Sequence, residues 1–216
     1  MNRFLVTSLL LLTLCLSGCD WHRIRGNGII KTETRAVTNF TQVSARGFYE
    51  LEWHPGPPSF SLTTDENLIP EIVTTMDGNR LKIETRSGNL VPTDGIKIVI
   101  TSPGLNGADL SGALEFHAST LSGTTFALQT SGAVKSTLSG KVDRLLASLT
   151  GASKLDAAEL LTNDVELSVT GAGEANVTAS NLLRAAITGA GKVRYGGKPK
   201  TVEKQVLGAG EIEPRD

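Results

Sequence analysis

Residues 169–173 read VTGAG, and residues 187–191 read ITGAG. They are two steps of a longer series: Gly-Ala recurs at Gly112-Ala113, Gly132-Ala133, Gly151-Ala152, Gly171-Ala172, Gly189-Ala190 and Gly208-Ala209. Successive glycines are 20, 19, 20, 18 and 19 positions apart. Such self-similarity marks a repeat architecture, in which each copy is one supersecondary unit stacked on the next. The period is short for paired helices, since a tetratricopeptide unit takes about 34 residues.

Aligning the copies on the glycine reveals a second regularity. Two positions before it stand Leu110, Thr130, Leu149, Val169, Ile187 and Val206; only Thr130 is polar. Four before it stand Ala108, Leu128, Ala147, Leu167, Ala185 and Lys204. Six before it, in the last five copies, stand Phe126, Leu145, Val165, Leu183 and Val202. Steps of two place these residues on one face of a strand. The pattern predicts an all-β fold, a parallel β-solenoid of roughly six coils over about 105–213. Each coil is expected to have three short strands and three corners. Lys204 breaks the apolar set at the last copy, where a terminal coil needs polarity. Parallel crossovers are right-handed as a rule; the sequence itself does not fix the hand of this coil.

Coils one strand spacing apart, about 4.8 Å, place equivalent residues directly over one another. Three positions after each glycine stand Glu115, Lys135, Lys154, Glu174, Lys192 and Glu211. Four of the five neighbouring pairs have opposite charge, and only Lys135–Lys154 is like-charged. Opposite charges are favourable as cross-strand neighbours, but exposed pairs contribute well under about 1 kcal/mol each. The column therefore fixes register more than it adds stability. Glycine itself has two candidate causes, a positive φ at a corner or a close approach of backbone between coils.

Residues 30–104 alternate without the repeat. In FYELEWH (48–54), Tyr49, Leu51 and Trp53 fall on one face and Glu50 and Glu52 on the other. SFSLTT (59–64), the two halves of 70–85 around Asp77-Gly78-Asn79, and GIKIVITSP (95–103) read as further strands. Leu68 and Ile69 fall in a short helical or irregular turn, and 86–94 is a loop. This region is expected to cap or extend the solenoid, so that 30–216 is a single domain.

The 216 residues include 21 Lys and Arg against 22 Asp and Glu, and 23 glycines. That balance offers no concentrated basic surface for nucleic acid. Both cysteines, Cys15 and Cys19, lie in the first twenty residues, so the rest of the chain holds no disulfide. Arg3 precedes an uncharged apolar run from Phe4 to Leu16. Spanning a bilayer takes about 20 apolar residues, so the run matches the core of a signal peptide instead. Leu16-Ser17-Gly18-Cys19 resembles the lipobox of bacterial lipoproteins. The resemblance implies a signal peptide over 1–18, lipidation of Cys19 and attachment to the membrane through that lipid. Residues 19–29 then form the lipidated cysteine and a short tether, with His22 as a solvated linker residue. Asp20 after the cysteine resembles an inner-membrane retention signal, a weak guide to which membrane of the envelope holds the protein.

The order of RAVTNFTQVSARGFYELEW, DGNRLKIET, the repeated SGA and TGAG, and the terminal GAGEIE resembles the head GIN domain family ("putative auto-transporter adhesin") over about residues 26–213. The resemblance implies a β-helix-like fold on an envelope-targeted protein. It transfers no catalytic residue.

The glycines do not form a nucleotide site. GAGEAN lacks the third glycine of a dinucleotide turn, and GKVRYGGKP has Pro199 where a phosphate loop needs Ser or Thr. His22, His54 and His117 lack metalloprotease spacing, and no nucleophile elbow is present. Asp109, Asp156 and Asp164 read as solubilising or turn residues. No cofactor, metal or catalytic residue is assigned. The expected function is non-enzymatic: a solenoid surface presented from the envelope to an unidentified protein or glycan. A carbohydrate-binding or carbohydrate-active protein is the alternative, and it requires Trp53, Tyr49 and Phe60 to form an open stacking platform. Burial of those three as core residues is the other reading of the alternation.

Overall fold

The computed structural model describes residues 23–86 and 89–215. Side chains of alternating polarity, rich in Thr, Val and Leu, hold the backbone extended through nearly the whole chain. In order, the strands are β1 (Ile24–Arg25), β2 (Ile30–Thr34), β3 (Gln42–Gly47), β4 (Glu50–Pro55) and β5 (Ser59–Asp65). A 3-10 turn, Glu66–Glu71, buries Leu68 and Ile69. It leads into β6 (Ile72–Asp77), β7 (Arg80–Thr85), β8 (Leu90–Val91), β9 (Lys97–Ser102) and β10 (Gly107–Gly112). The repeat follows as β11 (Glu115–Gly132), β12 (Lys135–Gly151), β13 (Lys154–Gly171), β14 (Glu174–Gly189), β15 (Lys192–Gly196), β16 (Thr201–Gly208) and β17 (Glu211–Pro214).

The repeat is a parallel β-solenoid of about five turns. Each of β11 to β14 pairs with the next in parallel, and the ladder glycines pair with one another: Gly112 with Gly132, Gly132 with Gly151, Gly151 with Gly171, Gly171 with Gly189, and Gly189 with Gly208. The coils differ from the expected three short strands. A full copy is one strand of 16 to 18 residues, sharply turned at its glycine and bent again at its middle. The middle bend appears as register shifts, between Ala118 and Leu121 in β11 and between Thr137 and Ser139 in β12. A bulge turns the chain there while most ladder hydrogen bonds continue.

Residues 30–104 extend the stack. β3 pairs in parallel with β10, and β4 with β11, so they form a complete rung beneath the first repeat copy. β7 and β9 lie under β3 and β4, also in parallel. Antiparallel strands then finish this end: β6 on β7, β5 on β9, and β2 on β5. The segment expected to be a free tether is already paired from Ile24, because β1 lies against β8.

Side chains in successive coils complement one another inside the stack. Four positions before the glycine, Ala108, Leu128, Ala147, Leu167 and Ala185 alternate small and large, and all are buried. Trp53, Phe60, Phe116 and Phe126 are buried in the N-terminal portion of the core. Thr130 and Ser136 are also buried, and among the described residues neither hydroxyl has a hydrogen-bond partner.

Candidate functional site

The corner column explains both glycines of VTGAG. In each coil the glycine carbonyl turns toward the next coil and accepts the amide of the following alanine; Ala172 N donates to Gly151 O at 3.0 Å. That carbonyl occupies the space where a side chain would stand. A Cβ on Gly171 would lie 2.7 Å from Gly151 O, and its φ is +111°. Positive φ and close approach therefore act together. The second glycine is hemmed in on two sides: a Cβ on Gly173 would lie 3.0 Å from both Ser153 O and Val169 Cγ1. Glycine there gives room to the β-branched core residue beside it.

Outside the corner runs the charge column. Glu115 pairs in register with Lys135, Lys135 with Lys154, Lys154 with Glu174, Glu174 with Lys192, and Lys192 with Glu211. Register and side-chain pairing are separate matters. Lys135 Nζ bonds Glu115 at 2.5 Å and Lys154 lies 3.3 Å from Glu174. The Lys192 ammonium turns away from Glu174 to Glu211 (3.1 Å) and Glu213 (2.8 Å). The hydrogen bonds from Lys192 and then Arg194 pull the Glu213 carboxyl down to about 2. The hydrogen bond from Lys135 likewise holds Glu115 below the usual carboxylate range.

The column continues below the repeat. Glu50 lies beneath Glu115, and Lys97 beneath Glu50. The rung formed by Gly47 and Glu50 went unread in the sequence because Phe48, not alanine, follows the glycine. Its signal was present: Val43, Ala45, Gly47 and Glu50 repeat the spacing of Leu128, Thr130, Gly132 and Lys135.

A second charged series was also missed. Arg144 stands 4.0 Å from Glu166, Glu166 stands 3.7 Å from Arg184, and Arg184 bonds Glu203 at 2.7 Å. Glu166, Arg184 and Glu203 all stand five positions before their glycines, so the same alignment contained them. Glu166 and Arg184 border a shallow groove on the outer face, lined also by Ala127, Gln129, Leu146 and Ser148. The groove crosses four coils, a run of about 15 Å at the strand spacing. It offers a hydroxyl, an amide and an ion pair beside an apolar floor.

The aromatic platform is not formed. Trp53 is 1% exposed, Tyr49 5% and Phe60 1%. Trp53 Nε1 donates to Ser102 Oγ at 2.9 Å, and the Tyr49 hydroxyl donates to Ile83 O at 2.9 Å. Burial pushes the Tyr49 hydroxyl up. With few large apolar residues in this half, the core takes all three rings, and the sugar-stacking reading is withdrawn. His117 lies 3.3 Å from Glu115, and His54 lies 3.7 Å from Glu52, both on the outer surface. Asp156 accepts the Ala158 amide as a local turn contact, and Asp164 accepts the Asn181 side chain from the neighbouring coil. Among the described residues no three His, Cys, Asp or Glu side chains gather as a metal site, and no helix is long and apolar enough to cross a membrane. Cys19 and His22 lie outside the described residues.

The glycine corners, parallel register and continuous core define a single-stack β-solenoid. The chain belongs to the family "Putative auto-transporter adhesin, head GIN domain", whose model matches residues 39–199. Its fold is similar to a "putative adhesin" of Bacteroides fragilis, with TM-score 0.72, 21% identity, and 89% of this chain and 100% of that one covered. A "putative adhesin" of Parabacteroides merdae has TM-score 0.61 and 19% identity, covering 90% of this chain and 99% of that one. A "putative lipid binding protein" of Parabacteroides distasonis has TM-score 0.59 and 23% identity, covering 90% and 100%. No curated protein matches this chain.

Proposed function

We propose that this protein is a non-enzymatic, lipid-anchored component of the bacterial cell envelope that presents its solenoid for adhesion-like or envelope-organising contacts. The observation that carries the reading is the groove across four coils, with Leu146 and Ala127 on its floor and Glu166 and Arg184 at its border. A stack of hydrogen-bonded coils holds those side chains at fixed spacing, which lowers the ordering cost of binding an extended ligand. Membership in an adhesin-named family supports the same reading. Attachment rests on the lipobox-like Leu16-Ser17-Gly18-Cys19, with lipid on Cys19 holding the protein at a membrane.

The test is affinity capture from the native envelope, comparing the anchored protein with a Cys19→Ala form and a Leu146→Arg form. The expected result is one specific protein or glycan recovered by the anchored protein and lost on Leu146→Arg. Equal recovery by wild type and Leu146→Arg removes the groove from the account. A Cys19→Ala protein that still carries lipid by mass spectrometry removes the anchor.

A further inference from the structure

The last rung differs from every rung below it. β16 pairs in parallel with β14, and β17 with β15, and these two strands end the chain of paired strands. Every residue of β16 is exposed. Val202 and Val206 are 38% and 40% exposed, whereas their register partners Leu183 and Ile187 are 0% and 1%. Leu207 beside them is 59% exposed. An eight-residue strand with apolar side chains at a sheet edge is a template for another strand.

The charge pattern says what kind of strand fits. Inside the stack Glu166 has a cation on both sides, Arg144 and Arg184. At the last rung, among the described residues, Glu203, Glu211 and Glu213 meet Arg184, Lys192 and Arg194 on the stack side alone. Lys204 covers the open end of the core. Its ammonium donates to Ile212 O at 3.0 Å and stands 4.9 Å above the Tyr195 ring. Its register partner is the small Ala185.

We propose that the outer edge of β16 and β17 is a docking site for an extended strand of a partner protein, added in parallel. That strand carries basic side chains opposite Glu203, Glu211 and Glu213, apolar ones over Val202 and Val206, and a small one opposite Lys204. The chain's own penultimate rung has this character in Arg184, Ala185, Ile187, Lys192 and Arg194. A second copy of the protein fits less well. The opposite end of the stack is finished by the antiparallel strands β2, β5 and β6. A two-fold join of two such edges gathers the acids of both copies at one interface, where like charges repel. The inference deepens the proposed function and rests on it: β1 and β2 lie at the other end of the stack, so an anchor on Cys19 leaves this edge facing away from the point of attachment.

The probe is a fluorescent peptide of residues 182–196, LLRAAITGAGKVRYG, added to the full chain in detergent micelles. The control peptide carries R184E, K192E and R194E, and leaves the protein unaltered. Fluorescence anisotropy is expected to show saturable binding that weakens with salt. Binding is expected to fall about tenfold with the control peptide, as the loss of three exposed pairs implies. Amides of residues 201–208 are expected to gain protection from hydrogen exchange. Absence of binding, equal binding of both peptides, or dimerisation of the protein through this edge overturns the proposal. Leu146→Arg leaves the edge intact, and E211K/E213K, which do not touch Arg184, leave the groove intact. Peptide binding retained by Leu146→Arg, with capture lost, separates failure of the groove reading from failure of this one.

Discussion

Gly47 lies directly beneath Gly112, in register between two parallel strands, and a Cβ on Gly112 would stand 2.2 Å from the Gly47 carbonyl oxygen. The glycine column of the repeat therefore begins in the N-terminal region, outside the repeat itself. The same contact recurs coil after coil, because each corner carbonyl must reach the alanine amide above it. The corners are the most sensitive positions of the fold.

Gly171→Ala is expected to destabilise the protein by at least about 2 kcal/mol, since positive-φ strain alone costs about 1–3 kcal/mol and a backbone clash is added. For a chain of this size that lowers the melting temperature by about 4–8 °C. Gly28→Ala is the control: φ is +78° there, but nothing lies within 4 Å of the added Cβ. Its loss is expected to be about half as large. Equal melting temperatures for the two variants remove the close-approach argument.

Thr130→Val and Ser136→Ala are expected to stabilise the protein. Each removes a buried hydroxyl that has no hydrogen-bond partner. Such a group costs about 1–3 kcal/mol when left unsatisfied, and Thr130→Val preserves shape. A rise in melting temperature of about 2–4 °C for each is the expected reading by calorimetry. A fall in both shows that the hydroxyls are bonded in solution.

Asp65 joins the N-terminal segment to the stack. Its carboxylate accepts the Thr93 hydroxyl (2.7 Å), the Thr93 amide (2.8 Å) and the Gly28 amide (2.7 Å). Those bonds, Thr93's foremost, hold its carboxyl below the usual range. Asp65→Asn replaces one acceptor oxygen with a donor that faces donors. Amides of residues 26–30 are expected to lose hydrogen-exchange protection and the melting temperature to fall, more than for the surface change Glu203→Gln. Unchanged exchange at Gly28 and Thr93 removes this role.

The pH dependence has two limits. Asp65, Glu115, Glu203 and Glu213 are all held below their ordinary values by hydrogen bonds to the charged form. A depressed carboxylate contributes stability above its unfolded value, about 4, and loses it as pH falls through the folded value. Lys97, Lys135 and Lys192 are raised by carboxylate partners, and Tyr49 is raised by burial. Raised groups contribute below their unfolded values, about 10, and lose that contribution as pH rises beyond. Melting temperature measured against pH is therefore expected to fall below about pH 4 and above about pH 10. A fall beginning near neutrality contradicts these assignments.

The sequence by itself determined the repeat, its period, the face each residue takes and the order of the charge column. Each follows from a local rule, since coil n meets coil n+1 at a nearly constant separation along the chain. Only the tertiary structure decided the rest. β3 and β4 enter the stack below β10 and β11 at a separation of 65 positions, more than three times the repeat period, with other strands intervening. Lys192 leaves Glu174 for Glu211 and Glu213, because a flexible ammonium chooses among neighbours on both sides of its own strand. Tyr49, Trp53 and Phe60 alternate in a way that suits either a platform or a core, and closure of the stack placed them inside. The two glycines of VTGAG show the same division. Their spacing marked a corner, while the stacked coils gave each its own cause: positive φ against a neighbouring carbonyl for Gly171, and a carbonyl together with a β-branched side chain for Gly173.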